Sequence, residues 1–327
     1  MSVVQIVGAG PGVGATTVAC GLASLLRSQD RRVALVKPLS SPGDADPAFL
    51  ASLGGSPETV SVDGAPSPEQ VAQAAQIVQG AAANADVVVV EGPYLSEGTA
   101  APAELARATG AVVIGVLEYE RSLGADACGP LRDAFGDSLA GCVVNKRTRY
   151  AGYDASARLA VELAEGGMPV LGMLPEERLL LAPTVQQVAE HLGGTYFAGE
   201  DGGGELIEHF LIGGLITEWG GNYFGRLPNQ AVVVRGGRID IQMSALNFPL
   251  NALFLTGCET PSQYVYQRAE ELDVPLIAVG SNTHETAEAL ESLSAAVSVH
   301  HTAKAARAGA MALECVDASA LSAALGG

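Results

Sequence analysis

The residues with the most chemical potential lie at the start of the chain. Gly8-Ala9-Gly10-Pro11-Gly12-Val13-Gly14-Ala15-Thr16-Thr17 follows a short apolar run, Val3 to Val7, and opens a helical pattern that continues to Arg27. A glycine-rich turn between a strand and a helix can point its backbone N–H groups inward and cradle phosphate oxygens, helped by the helix dipole. Thr16 holds the hydroxyl position that touches magnesium in such loops, and the residue before it is ordinarily the lysine that reaches the β- and γ-phosphates. Here that residue is Ala15. The expected ligand-binding set is Gly8, Gly10, Gly12, Val13, Gly14, Ala15, Thr16 and Thr17, a phosphate loop without its principal cation. A GxGxxG reading through Gly8 and Gly10 is weaker because the third glycine is misplaced, and a plain tight turn is the structural alternative.

Further candidates stand at the ends of other apolar runs. Lys37 follows the strand expected over Arg32 to Val36 and is one of only three lysines, with Lys146 and Lys304. As a cation arriving from a different strand it is the candidate catalytic residue, able to offset part of the charge missing at Ala15. Asp44 and Asp46 follow in a loop, as metal candidates or ordinary turn residues. Glu91 ends an all-valine strand, and Asn145 follows a strand ending at Val144, with Lys146, Arg147 and Arg149 as a small basic patch behind it. Arg235, Gly236, Gly237, Arg238 and Asp240 form either a second anion site or a polar turn. His300-His301 has no carboxylate or cysteine at metal-ligand spacing and reads as exposed. Trp219, Tyr223 and Phe224 read as core or interface, and no nucleophilic triad stands out.

The elements that position these residues alternate. Short apolar runs end at Val36, Val90, Leu117, Val144 and Met173, with helical stretches between them, including Pro68 to Ala83. This pattern predicts a parallel sheet with helices on both faces, with ligands at the strand ends. Phe197 to Gly204, acidic and glycine-rich, reads as a linker or an exposed turn. A second pattern follows it: strands at Gln230–Arg235, Ala252–Thr256 and Pro275–Val279, and helices at Gln263–Leu272 and His284–Leu293. Two domains are therefore expected, 1–197 and a smaller α/β unit at 205–327.

The 327 residues are 48% hydrophobic and 17% charged, enough for two buried cores. A net charge of −18 disfavours nucleic acid and anionic membranes as partners. An anionic ligand needs a local exception to that field, such as a helix N-terminus. Five scattered cysteines without a CxxC pair argue for a reducing compartment, hence the cytoplasm, and against structural zinc. The chain shows no signal sequence and no apolar run of membrane-spanning length.

Several of these motifs carry a resemblance. Lys37-Pro38, Glu91-Gly92 and Asn145, behind the glycine loop, resemble the dethiobiotin synthetase-like branch of P-loop proteins. The run Met168 to Glu177, continued by Leu180-Leu181-Ala182-Pro183-Thr184-Val185, is similar to the N-terminal region of long phosphotransacetylases. Gly236-Gly237-Arg238-Ile239-Asp240-Ile241 and Leu255-Thr256-Gly257 resemble a DRTGG domain, departing from it at Gly237, where an aspartate is common. The resemblance implies a P-loop NTPase-like domain followed by a DRTGG-like one, without an acetyltransferase domain in these residues. It further implies that Glu91 and Thr16 hold magnesium, that Lys37 faces substrate and phosphoryl group, and that Asn145 reads a nucleotide base. The cofactor would be ATP or another nucleotide with magnesium. The partners would be further copies of the chain, as a dimer or larger, and a separate acetyltransferase-type enzyme.

Three functions remain open on these grounds. The first is a regulatory protein that binds a nucleotide or anionic metabolite without significant ATP turnover, favoured by Ala15. The second is an ATP-dependent ligase of the dethiobiotin synthetase or amidoligase type, favoured by Thr16, Lys37 and Glu91 together. The third is a structural assembly partner with no ligand.

Overall fold

A computed structural model describes residues 2–96, 100–213, 220, 222–293 and 297–326. Trp219 lies outside them. Contacts divide the chain into two compact units, 1–177 together with 299–327, and 178–298.

The first unit begins with β1 (Ser2–Gly8), α1 (Ala15–Arg27) and β2 (Val33–Val36). A two-residue pair, β3 (Leu39–Ser40) and β4 (Val60–Ser61), flanks α2 (Asp46–Ser52). Next come α3 (Pro68–Ala82), β5 (Val87–Glu91), α4 (Ala101–Thr109), β6 (Val112–Glu118), α5 (Cys128–Phe135), β7 (Leu139–Arg147), α6 (Tyr153–Glu165) and β8 (Val170–Pro175). The six main strands form one parallel sheet in the order β2-β5-β1-β6-β7-β8. Strands buried on both faces need continuous apolar sequence, which explains the uninterrupted valines of β5, all buried. Leu105, Leu131, Leu159 and Leu163, from α4, α5 and α6, pack with Val3, Val7, Val88 and Val90 on one face.

The second unit contains α7 (Val185–His191), β9 (Thr195–Ala198), β10 (His209–Gly213), β11 (Gln230–Arg235), α8 (Ile239–Ala245), β12 (Ala252–Thr256), α9 (Gln263–Glu271), β13 (Leu276–Val279) and α10 (Thr283–Leu293). Its sheet runs β10-β11-β12-β13-β9, parallel except for β9, which pairs antiparallel with β13. Strand alternation sends Val232, Val234, Leu253 and Leu255 to α8 and α9 on one face. It sends Ala231, Val233, Phe254 and Ile277 to α7 and α10 on the other.

After residue 298 the chain rejoins the first unit through α11 (Thr302–Cys315) and α12 (Ala318–Ala324). α11 lies against α1, which covers the sheet face opposite α4–α6. The close approach depends on small residues: a Cβ on Gly21 would stand 3.0 Å from the Ala308 carbonyl, and one on Gly309 would stand 2.4 Å from Ser24 Oγ.

This partition differs from the sequence expectation at both ends. Residues 178–197 belong to the second unit, where β9 supplies an edge strand and α7 covers a face, and residues 299–327 belong to the first. The glycine-rich stretch is a strand end and a 3-10 turn (Glu200–Gly204) inside the second unit, with Glu200 and Asp201 exposed. Among the described residues no helix is long and apolar enough to cross a membrane.

Candidate functional site

Parallel strands present their carboxyl ends to one edge of the sheet, and the loops there collect side chains that are distant in sequence. In the first unit, β2, β5 and β1 are neighbours. Their ends place Lys37, Glu91 and the Gly8–Thr17 loop together.

The loop enters α1 through Gly14, whose φ of +90° and ψ of +34° belong to the left-handed region. A Cβ there would stand 2.2 Å from Asn145 Nδ2, so only glycine fits both the conformation and the space. α1 has no side-chain cap and no acidic residue in its first turn. Its first N–H groups, with no intrahelical acceptors by geometry, remain open to a ligand.

Thr16 Oγ1 donates to Glu91 Oε1 at 2.9 Å and lies 3.5 Å from Asp46 Oδ2. The Lys37 ammonium meets the same two carboxylates. It is 3.1 Å from Glu91 Oε1, 2.9 Å from Asp44 Oδ2, and hydrogen-bonded to Asp46 Oδ2. His300 Nε2 bonds the other oxygen of Asp46, and its ring stacks at a tilt on Phe49, with centroids 5.1 Å apart. Lys37 and Asp46 are each only 15% exposed.

Protonation follows from this packing. Burial pushes the Glu91 carboxyl up to about 7, against the pull of Lys37. Burial also opposes the charge on Lys37, yet the Glu91, Asp46 and Asp44 carboxylates hold it above its ordinary value. Burial disfavours the charged form of Asp46 too, but bonds from His300 and Lys37 bring it down to about 2. The Cys20 thiol is pushed up to about 12, by burial first and then by Glu91 and Asp46, which leaves it inert as a nucleophile.

Asn145 and Lys146, at the end of β7, turn back to the loop. Asn145 Nδ2 donates to the Val13 carbonyl at 2.9 Å. One N–H of its amide is thus engaged in holding the loop's shape. Lys146, with a φ of +57°, donates to the Gly12 carbonyl at 2.8 Å and pairs with Glu118 at 3.0 Å. Arg147 bonds Ser156.

In the second unit the Arg235–Asp240 segment is a self-paired turn. Arg238 makes a two-pronged bond to Asp240, at 2.9 and 2.8 Å. Buried Gln242 donates to the Arg235 and Gly236 carbonyls from within. Arg235 is exposed, and of the two guanidinium groups only that of Arg238 is paired with Asp240. Phe224 is buried in the core of this unit, and Tyr223 is 38% exposed.

His300 was legible only as an exposed histidine, and the structure corrects that. It is half-buried on an aspartate 254 positions earlier. No local pattern marks such a contact. His301 serves as the N-cap of α11, its Nδ1 accepting from Ala303 N.

As the side chains stand, magnesium would have to displace the Lys37 ammonium to reach Glu91 Oε1. Thr16 and Glu91 are adjacent, and Glu91 Oε2 is buried without a protein partner. Glu91 Oε1, however, already receives both Thr16 and the Lys37 ammonium. Magnesium is ordinarily held by one or two carboxylates, with waters and substrate phosphates completing its octahedron.

Comparison with known proteins adds the wider context. The chain is 26% identical over 328 residues to a phosphate acetyltransferase of Pseudomonas putida, an alignment covering 88% of this chain and 47% of that one. It therefore spans about half the length of that curated relative. Among solved structures, the CBS and DRTGG domains of the regulatory region of Clostridium perfringens pyrophosphatase, complexed with diadenosine tetraphosphate, align at 14% identity, covering 38% of this chain and 53% of that one with a TM-score of 0.30. The signal recognition particle receptor FtsY of Elizabethkingia anophelis, in complex with GDP, aligns at 18% identity, 54% and 57% coverage and a TM-score of 0.40. Residues 187–293 match the DRTGG domain model. Residues 187–293, within the second unit, thus match the DRTGG domain; the first unit is a parallel α/β sheet with a glycine-rich loop after its first strand, and the chain is similar over most of its length to about half of a phosphate acetyltransferase.

Proposed function

We propose that this protein binds a nucleotide or a related anionic metabolite at the Gly8–Thr17 loop and acts as a regulator, with little or no ATP turnover. One observation carries the reading. The uncapped start of α1 offers open N–H groups, while Ala15 replaces the loop lysine and Lys37 is committed to three carboxylates. Binding needs the amides. Phosphoryl transfer also needs a cation on the growing β–γ bridge charge, and losing such a donor costs a few kcal/mol, about a hundredfold or more in rate. A lysine displaced by about 1 Å does not restore it.

The DRTGG domain and the FtsY and pyrophosphatase neighbours, which bind GDP and diadenosine tetraphosphate, are compatible with a nucleotide ligand. On the same reading the protein assembles as a dimer or larger oligomer and works beside a separate acetyltransferase-type enzyme. The gathering of Thr16, Lys37 and Glu91 favours one alternative, an ATP-dependent ligase.

Calorimetric titration with ATP, ADP and AMP, alongside steady-state phosphate release, separates the two. The expected result is saturable binding with negligible release, and an Ala15→Lys variant that gains affinity more than turnover. Robust release by the natural protein, abolished by Glu91→Ala, would promote the ligase. Absence of binding by every nucleotide and phosphate ester tried would remove both readings.

A further inference from the structure

The place beside Thr16 where loops of this kind hold a divalent ion contains a cation of the protein's own. Lys37 Nζ stands against Glu91 Oε1, Asp46 Oδ2 and Asp44 Oδ2, and the first two of these oxygens are also the ones that face the Thr16 hydroxyl. The ammonium therefore occupies the centre of an oxygen set drawn from the first turn of α1, the end of β5 and the start of α2. Lys37 is 15% exposed and Glu91 is almost fully buried. A buried ammonium is stable only when paired, and the Asp44, Asp46 and Glu91 carboxyl groups around this one already match its charge. His300 holds the far oxygen of Asp46, which fixes that carboxylate toward the lysine.

We infer that the Lys37 ammonium takes the place of the divalent ion at this loop, so that phosphate ligands bind without a metal. This rests on the proposed loop site and narrows its ligand class. A triphosphate tail is ordinarily neutralised by both a loop lysine and magnesium. Here Ala15 removes the first and Lys37 displaces the second. What remains for the phosphate is the helix N-terminus, worth a fraction of one charge, at the edge of a cluster whose carboxylates outnumber its lysine. Electrostatics then favours a ligand with few phosphate charges, a nucleoside monophosphate or a phosphodiester, over a free triphosphate.

Two measurements on the full chain test this. Manganese binding is followed by electron paramagnetic resonance on the natural protein and on Lys37→Met, with no nucleotide present. AMP and ATP affinities are measured by calorimetry with magnesium and with EDTA. The inference expects the natural protein to leave the manganese signal that of the free ion, and Lys37→Met to take the ion up. It expects AMP affinity to change by less than about twofold between magnesium and EDTA, and metal-free ATP to bind no tighter than AMP. It is overturned by manganese uptake in the natural protein, by a Lys37→Met variant as indifferent to manganese as its parent, or by a loss of about tenfold in AMP affinity on adding EDTA, equal to about 1.4 kcal/mol. If Lys37→Met does not fold, the measurements on the natural protein decide. If no nucleotide binds, the proposed function fails, while the manganese experiment still decides the role of Lys37.

Discussion

Replacing Glu91 with glutamine should change how stability responds to pH. The carboxyl is buried and its pKa is raised to about 7, from an ordinary 4.5. Because the folded value lies above the unfolded one, the stability that Glu91 contributes is fully present below pH 4.5 and is lost as pH rises through 7. At about 1.4 kcal/mol per pH unit, ionising it in the folded chain costs about 3 kcal/mol more than in the unfolded chain. Glutamine keeps an oxygen for the Thr16 hydroxyl and never ionises. Relative to the natural protein, Glu91→Gln should therefore gain about 3 kcal/mol between pH 4.5 and pH 8, whatever its standing at the lower pH. With a urea slope of about 2–3 kcal/mol per molar, the midpoint difference between the two proteins should move by about 1 M or more over that range. Urea unfolding of both proteins at several pH values, read on the first unit, checks it. Asp46 titrates well below this window and does not confuse the comparison. Parallel pH curves would refute the reasoning, because they would mean that Glu91 ionises as easily in the folded chain as in water.

Gly14→Ala combines a left-handed backbone, costing about 1–2 kcal/mol, with a clash on Asn145. Displacing the buried Asn145–Val13 bond adds about 1–3 kcal/mol. Urea unfolding should show a loss of about 2–5 kcal/mol, and calorimetry a loss of nucleotide binding; a neutral variant would mean that the loop has another shape. His300→Ala removes one of the bonds that hold Asp46 down at about 2. The stability contributed by a depressed aspartate is present above its ordinary pKa and lost as pH falls through the folded value. The variant should thus be less stable at neutral pH and have a shallower acid limb, and unfolding curves identical to those of the parent would count against the contact.

Much of the first unit was legible because its signals are local. The glycine loop, the valine run of β5 and the strand ends at Lys37, Glu91 and Asn145 each announce themselves within about ten residues, and the fold brings them to one sheet edge. What was not legible depends on distance along the chain. The C-terminal helices look like a continuation of the second domain, yet α11 packs on α1, because its glycine and alanine positions match Gly21 and Ser24. That return also brings His300 to Asp46. The strand β9 has no apolar alternation strong enough to mark it, and its neighbouring glycines suggested a linker where the chain makes a turn within one unit. The role of Asn145 shows a different limit. Its place at a strand end was readable, but the partner of its amide, the Val13 carbonyl, is a matter of loop geometry that residue type does not encode.

The central claim is that an anionic ligand sits on the open amides where the loop enters α1. Its most direct test is an amide NMR titration of the natural protein with AMP and ATP. The account predicts saturable shifts concentrated on the N–H groups of Gly10, Gly12, Val13, Gly14, Ala15, Thr16 and Thr17, with smaller ones at Asn145 and Lys146. Unchanged loop amides at saturating ligand, or shifts confined to residues 187–293, would contradict it.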